Sequence, residues 1–376
     1  MQECVPLQGP GGESEVLDPR VHNSGLNVVS EEFPSGVDER LAPALSVVVI
    51  GRNEGQRLAR CLDSLKQVHA LPGGMEVVYV DSASTDGSPD LARERGAEVI
   101  RVTPERPTAA IGRNAGWRKA RAPFVLFLDG DTILHPDFAA VAFAEMEKDA
   151  QLAIVWGHRR EIRPGDSLYN RVLDLDWIYQ PGYTPFCGGD ALMRRSALEE
   201  VNGYDDGLIA GEEPEMCRRM RARGWKILHV DHPMTGHDLA MTRWSQYWRR
   251  ATRAGYAYSE VSSRFRQSGD PFWEADRRAN LVRGSFWLAG TGLAVAASLV
   301  LLRWQPLAGW VLFVLLMGAR SAWKARWKSL EWGTLFLYGL HSHLQQAPIL
   351  FGQWQHWRDR RAGRRRGLIE YKGSSR

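Results

Sequence analysis

The sequence is poor in cysteine and has none of the spacings that cysteine chemistry usually requires. Its 376 residues contain four cysteines, Cys4, Cys61, Cys187 and Cys217, and no Cys-x-x-Cys pair. Structural zinc sites and the disulfide frameworks of small secreted proteins use closely spaced cysteines. Neither is predicted, and we expect these thiols to be reduced and mostly buried.

Three other signals are missing, and each absence argues against a class of protein. The N-terminus lacks the charged-then-apolar layout of a cleaved signal peptide, and its Gly, Pro, Ser and Glu content predicts a flexible leader over residues 1–43. No Gly-x-Gly-x-x-Gly follows the first predicted strand, which argues against a dinucleotide-binding protein. No recognised nucleic-acid-binding module is present, so no nucleic-acid partner is expected.

From residue 45 onwards, short β-rich segments alternate with helical patterns. Strands are predicted at residues 45–50, 76–80, 98–102, 124–128 and 152–156, and helices at residues 56–68, 89–95, 109–120 and 137–148. Such alternation predicts an α/β fold with a mainly parallel central sheet and helices on both faces, here over residues 44–265. Residues 157–190 are predicted to be irregular, and residues 242–266 to form a basic, aromatic amphipathic helix.

The C-terminal third contains the apolar segments of the chain. Residues 285–302 and 305–319 carry no charge and predict a helical hairpin in the membrane, with a pair of buried core helices as the alternative. Residues 323–354 mix tryptophans with cationic side chains, as expected at headgroup depth. Six arginines between Arg358 and Arg366 favour the anionic cytoplasmic leaflet. We therefore predict a membrane-associated region over residues 266–357 and a basic tail over residues 358–376.

Polar clusters follow three of the predicted strands. They are Gly51-Arg52-Asn53-Glu54, Asp81-Ser82 with its continuation to Gly87, and Asp129-Gly130-Asp131. Ligands of open α/β sheets bind outside the carboxyl ends of the strands. Carboxylates there suit a divalent cation that also binds substrate phosphates, and Asp81 could accept hydrogen bonds from a base or a ribose.

A fourth acidic cluster, Glu212, Glu213 and Glu215, surrounds Pro214. Proline favours the first turn of a helix, here predicted to run to about Arg223, and acids stabilise the positive N-terminal end of a helix. These glutamates therefore either stabilise the helix or take part in chemistry.

Taken in order, these motifs resemble the family 2 glycosyltransferases of the GT-A fold, over about residues 45–260. The resemblance rests on Leu45 to Glu54, Val80 to Ser88, Arg113-Asn114-Ala115-Gly116, Phe127 to Asp131, and Gly203-Tyr204-Asp205 followed by Gly211-Glu212-Glu213. It implies a Rossmann-like nucleotide-sugar-binding domain, a nucleotide-sugar donor, with a UDP-sugar favoured, and a divalent cation, Mg²⁺ or Mn²⁺.

The resemblance also implies roles for individual residues. Donor binding falls to Asn53, Glu54, Asp81, Ser82, Arg113, Asn114, Asp129 and Gly130. Metal binding falls to Asp131, Asp129 and His237, with His229 and His232 as competitors of His237. Glu213, or its neighbour Glu212, takes the position of the catalytic base, where Glu-Asp is more usual. Acceptor binding is predicted for Gly188, Gly189, Asp190, Trp244, Trp248 and Arg249.

The predicted function is inverting transfer of a sugar to a membrane-located, polyprenyl-linked saccharide in envelope or extracellular polysaccharide synthesis. The predicted location is a bacterial-type inner membrane, with the catalytic domain on the cytoplasmic side. A processive polysaccharide synthase is one alternative, although Gln246 to Arg250 departs from the Gln-x-x-Arg-Trp motif of such synthases by ending in arginine. A non-catalytic scaffold of a glycan-assembly complex is the other.

Overall fold

The computed structural model describes residues 43–267, 269, 271–364 and 367, together with the short strand Val28–Val29. Most of the predicted leader, Cys4 and the end of the predicted basic tail lie outside the described residues. The strands are β1 (Val28–Val29), β2 (Leu45–Gly51), β3 (Met75–Asp81), β4 (Glu98–Val102), β5 (Phe124–Asp129), β6 (Thr132–Leu134), β7 (Leu152–Glu161), β8 (Gly182–Tyr183), β9 (Ala191–Arg194) and β10 (Lys226–His237).

Helices connect and cover these strands. They are α1 (Gln56–Leu65), α2 (Ser88–Glu94), α3 (Ala109–Lys119), α4 (Phe138–Lys148), α5 (Leu168–Asp174), α6 (Arg195–Glu200), α7 (Glu212–Ala222), α8 (Trp244–Gln267), α9 (Glu274–Val300), α10 (Gln305–Lys324), α11 (Trp332–Leu344) and α12 (Gln346–Arg361). Short 3₁₀ turns occur at Pro164–Asp166, Leu175–Trp177 and Arg326–Lys328. The predicted α/β alternation is confirmed.

The strands form one sheet in the order β1-β4-β3-β2-β5-β9-β7-β10-β6, and β8 pairs with β10. The four strands β4, β3, β2 and β5 run parallel to one another, as predicted. Their apolar residues, such as Val48 and Leu126, are buried because helices cover both faces of this part of the sheet. The chain moves from β2 outwards to β3 and β4 and then returns to the other side of β2 with β5. The carboxyl ends of β2 and β5 therefore flank a topological switch point, where α/β sheets bind ligands.

Residues 157–190 are more regular than predicted. Strand β7 continues to Glu161, and residues 168–174 form α5. The extension exists because β7 pairs with the second half of β10, across register shifts between His229 and Thr235. A bulge of this kind depends on the partner strand and leaves no clear pattern in the sequence of β7.

The two segments of the predicted hairpin are helical and pack against each other as α9 and α10. Among the helices of the described residues, only α10 is long and apolar enough to cross a bilayer. In α10, 11% of the most apolar stretch is buried. Of the 28 large hydrophobic side chains that are exposed in the described part of the chain, 25 lie between residues 281 and 357. An exposed apolar surface this concentrated marks a contact with a partner or a lipid.

Candidate active site

A cavity of about 510 Å³ opens at the switch point between β2 and β5. Residues from the β2, β5 and β10 ends, α3, α7 and α8 line it. The predicted residues among them are Asn53, Glu54, Ser82, Arg113, Asp129, Gly130, Asp131, Gly189, Glu212, Glu213 and His237. The structure thus brings most of the predicted donor, metal and base residues to one place.

The loops after β2 and β3 are held together by Asn53. Its Oδ1 accepts a hydrogen bond from the Thr85 backbone N–H at 2.8 Å, and its own N–H donates to Ser84 Oγ at 2.9 Å. Asn53 adopts a positive φ of 56°, a conformation that asparagine tolerates better than most residues. Asp81 is buried beside this loop, where its carboxylate accepts from the Ser84 N–H at 3.0 Å, and it does not line the cavity.

Arg113 connects Asp129, at the end of β5, to the predicted base. This buried guanidinium contacts Asp129 Oδ1 at 3.0 Å, Glu212 Oε1 at 3.1 Å and Glu213 Oε1 at 3.0 Å. The neighbouring carboxylates hold the pKa of Arg113 well above its ordinary value despite its burial. One cation therefore sets the relative positions of three carboxylates that come from β5 and α7.

Glu213 is the more accessible glutamate of the pair. Its side chain is 16% exposed, against 4% for that of Glu212. Burial, followed by the charge of Glu212, raises the pKa of Glu213 to about 7. A carboxylate with this pKa exchanges a proton near neutrality, as a general base must.

His237 and Asp131 meet where the β6–β10 pair ends. His237 pairs with Thr132 across the two strands, and its Nε2 lies 3.4 Å from Asp131 Oδ2. Burial, assisted by the positive charge of Arg159, lowers the pKa of His237 well below its ordinary value, so the imidazole is neutral. Its Nδ1 lies 3.9 Å from Glu161 Oε2. A neutral imidazole, backed by one carboxylate and facing another, is a donor set that suits Mn²⁺ or Mg²⁺.

Asp129 is supported from behind by Asp190, which is fully buried. Asp190 Oδ1 accepts from the Asp129 N–H at 3.0 Å, and Oδ2 accepts from Thr235 Oγ1 at 2.8 Å. At the adjacent Gly189, a Cβ would lie 2.5 Å from Arg113 Nη2, so a side chain there would displace the guanidinium. Gly188 has no atom within 4 Å of such a position and does not line the cavity.

Helix α8 presents different residues to the cavity from those predicted. Arg250 and Arg253 line it, whereas Trp248 lines another groove and Trp244 stacks on Tyr247. The physical reason is helical phase, since residues two apart point about 200° apart around a helix. The structure therefore does not bring Trp244, Trp248 or Arg249 into the cavity.

Arg159 and Trp177 also line the cavity and were not predicted from the sequence. The guanidinium of Arg159 lies over the ring of Trp177 at 5.1 Å and 3.5 Å from Asp129 Oδ2. Trp177 also contacts the ring of His237, at 4.8 Å between centroids. The only sequence signal was the charged run His-Arg-Arg-Glu at residues 158–161, just beyond the predicted end of β7.

Residues 175–177 join the cavity to the C-terminal helices. Leu175 packs in a cluster with residues of α10 and α11, and Asp176 lies 3.5 Å from His341 Nε2 and 3.7 Å from Arg250 Nη1. Trp177 is the next residue. The cavity wall and the apolar helices thus share one short turn of chain.

Three other predicted residues lie outside the cavity. The Asn114 amide donates to the Tyr204 carbonyl oxygen at 2.8 Å and holds the loop before α7. His229 packs against Trp156, at 4.3 Å between ring centroids. His232 forms, with His135 and Asp137, a group able to hold a metal ion beyond the opposite end of β6 from Asp131.

Comparison with known proteins agrees with this geometry. The family model described as Glycosyl transferase family 2 matches residues 46–201, and that described as Glycosyl transferase family group 2 matches residues 124–323, more than half of the chain. The chain is 23% identical to the probable glycosyltransferase YdaM of Bacillus subtilis over 56% of its own length and 54% of the relative's. It is 24% identical to the UDP-forming cellulose synthase catalytic subunit of Xanthomonas axonopodis over 57% of its length and 32% of the relative's. The chain thus spans about half, or less, of these relatives.

Among solved structures, the chain is similar to the mannosyltransferase PcManGT of Pyrobaculum calidifontis, determined in complex with GDP-Man and Mn²⁺. The TM-score is 0.60 at 20% sequence identity, with 90% of this chain and 91% of the other covered. At this identity the similarity shows the fold, which is GT-A-like as predicted.

Proposed function

This chain belongs to the family 2 glycosyltransferases, and from that premise we propose an inverting, metal-dependent enzyme that transfers one sugar from a nucleotide-sugar donor to an acceptor at a membrane. The observation that carries the proposal is the single cavity in which Arg113 joins Asp129 to Glu213, with Asp131 and His237 beside them. A donor site and a base are both needed for this reaction, and here one side chain spans the two.

In the proposed reaction, the Glu213 carboxylate accepts the proton of the acceptor hydroxyl. The acceptor oxygen then bonds to the anomeric carbon while the bond from that carbon to the diphosphate breaks, which inverts the configuration. Asp131, His237 and Asp129 would hold the divalent cation, which supplies Lewis-acid stabilisation of the departing diphosphate when bound. Arg113 keeps the Asp129 and Glu213 carboxylates in fixed relative positions throughout the reaction.

We propose a UDP-sugar as the first candidate donor, because the chain is similar to a UDP-forming cellulose synthase subunit. GDP-mannose is the second, because the similar mannosyltransferase structure contains GDP-Man. The loops after β2 and β3, which place Asn53 and Ser82 in the lining of the cavity, are available to the nucleoside.

A membrane-located acceptor is supported by the exposed apolar surface between residues 281 and 357 and by the hairpin of α9 and α10. The arginines of α12 next to this surface favour the cytoplasmic side of a bacterial-type inner membrane. The proposed acceptor is a polyprenyl-linked saccharide, in envelope or extracellular polysaccharide synthesis.

A processive synthase is the second candidate, favoured by the similarity to a cellulose synthase subunit. One contact favours single transfer instead. Gln246, the first residue of the near-match to the processive motif, accepts from the backbone N–H groups of Thr242 and Arg243 at 2.9 Å each and so caps α8 locally. A ladder of polymer products from one donor would select the processive alternative.

The test uses the full chain in detergent with a panel of nucleotide sugars, with and without Mn²⁺. We expect one donor to bind and to be hydrolysed slowly only with metal. Glu213→Gln should keep donor affinity and lose turnover by about 100-fold or more, since general base catalysis contributes typically 10²–10⁴-fold. Full turnover in this variant would remove Glu213 from the base role, and metal-independent turnover would contradict the proposed cation.

A further inference from the structure

A second groove, of about 760 Å³, lies between α8, α9 and α12. Trp248, Ser259, Ser263 and Arg266 of α8 line it, and these residues share one face of the helix. Arg250 and Arg253, which line the active-site cavity, lie on the opposite face of α8. The groove is therefore separate from the candidate active site, and its size is that of a pocket for a small-molecule ligand.

The wall of the groove is apolar and continues along α9. Leu281 and Leu288 line it, both of them exposed, at 41% and 53%. Seven residues on, at the same helical phase of α9, Val295 is 40% exposed. An apolar chain lying in the groove could therefore follow one stripe along α9 as far as Val295.

The other end of the groove is cationic. Arg266, Arg277 and Arg360 line it, and among the described residues that line the groove none is acidic. Glu274, just outside, pairs with Arg277 at 2.8 Å and with Arg266. Arg360 donates to Ser263 Oγ at 2.5 Å. Three guanidinium groups and, within the part of the chain that the structure describes, no carboxylate line this end of the groove, which leaves it positively charged.

The three helices are aligned so that their cations coincide. Contacts of Ser259 with His356 and of Ser263 with Arg360 show that α8 and α12 run parallel, which places Arg266 and Arg360 together at their C-terminal ends. Gln353 of α12 donates to the Arg277 carbonyl oxygen and Gly284 lies against Leu350, so α9 runs antiparallel to α12 and brings its N-terminal arginine to the same end. The groove is polar at one end and apolar at the other, as is a lipid with an anionic head.

We propose that this groove binds one anionic phospholipid of the surrounding bilayer, with its phosphate at Arg266 and Arg360 and an acyl chain along Leu281 and Leu288. This proposal rests on the proposed membrane association, and it assigns a binding site that the transfer reaction does not use. The position on the far face of α8 separates the bound lipid from the reacting atoms. The role of the bound lipid is to fix the depth and tilt of α8, the helix that places Arg250 in the cavity.

The test compares phospholipid retention by variants of the full chain, using native mass spectrometry after reconstitution with phosphatidylglycerol or phosphatidylcholine. We expect wild type to retain phosphatidylglycerol preferentially. Arg266→Gln with Arg360→Gln should bind it about 30-fold more weakly, the loss expected for two cationic contacts at a membrane surface. Ala347→Phe, which fills the apolar end without changing charge, should also reduce retention.

The matched control is Arg283→Gln with Arg320→Gln, which removes the same charge from exposed positions of α9 and α10 that do not line the groove. An equal loss of phosphatidylglycerol binding in the control would mean that general surface charge causes the effect, which would contradict the proposed lipid site. If the protein binds vesicles of both compositions without preferring phosphatidylglycerol, the proposed anionic-lipid site is wrong but membrane association stands. If it binds neither kind of vesicle, the proposed membrane association is wrong as well. Displacement by a polyprenyl phosphate, with loss of transfer but not of donor hydrolysis in the groove variant, would reassign the groove to the acceptor.

Discussion

The pH dependence of turnover tests the arrangement of Arg113, Glu212 and Glu213 directly. The pKa of Glu213 is raised to about 7, first by burial and then by the charge of Glu212. A general base works only when deprotonated, so kcat/KM should fall as the pH drops through about 7. An ordinary exposed glutamate would keep full activity to well below that pH.

Glu212→Gln removes the second cause and keeps the size of the side chain. The two Oε1 atoms both lie about 3 Å from one nitrogen of Arg113, so they are at most about 6 Å apart. At an effective dielectric constant of about 20, this separation corresponds to about 3 kcal/mol, or about two pH units. Because burial remains the larger cause, we expect the midpoint of the acidic limb to move down by about one to two pH units.

The assay is kcat/KM for the preferred donor, measured from about pH 5 to about pH 9 with saturating metal. Glu215→Gln is the matched control, because Glu215 is buried in the same helical turn but pairs with Arg219 and does not line the cavity. A midpoint that stays in place, or rises, in Glu212→Gln would refute the coupling of the two glutamates. An equal shift in Glu215→Gln would attribute the effect to the helix end.

Three further predictions follow from individual contacts. Gly189→Ala should lower turnover about 100-fold or more because its Cβ displaces the guanidinium of Arg113. Gly188→Ala has open space around it and should turn over like wild type. Equal turnover of the two variants would contradict the close contact between Gly189 and Arg113. His237→Ala should raise the Mn²⁺ concentration for half-maximal turnover at least about tenfold, while His229→Ala leaves it unchanged; an unchanged requirement in both would remove the histidine from the metal site. Gly116→Ala puts a Cβ 2.2 Å from a valine methyl and should destabilise the fold by about 1 to 3 kcal/mol; an unaltered thermal midpoint would show that the core relaxes.

The carboxylates at the end of β5 could be predicted because their signals are local. Asp129 ends a buried strand and Asp131 follows it, and the carboxyl ends of parallel strands meet at one edge of the sheet. The glutamates before Pro214 were found for a similar reason, since a helix start carries its own sequence signature. In each case, a few consecutive residues determine both the element and the direction of the side chains.

The part of the cavity wall that contains Arg159 and Arg250 could not be predicted in the same way because tertiary contacts determine it. Arg159 reaches the cavity only because β7 extends along the bulged half of β10. On α8, the motif pointed to Trp248, but packing against α12 sets the rotation of the helix and turns Arg250 inwards. Neither the bulge nor the rotation has a signature in the residues nearby.

The turn at residues 175–177 limits how the protein can be divided. A chain cut after α8 would remove the side chains of α10 and α11 that pack on Leu175, together with the histidine beside Asp176. Leu175 and Asp176 would then no longer hold Trp177 in place, and the contact between the rings of Trp177 and His237 would become looser. A water-soluble fragment should therefore turn over more slowly than the whole protein, even on a water-soluble acceptor. For the same reason, the choice of detergent should alter the rate, through helices that do not line the cavity.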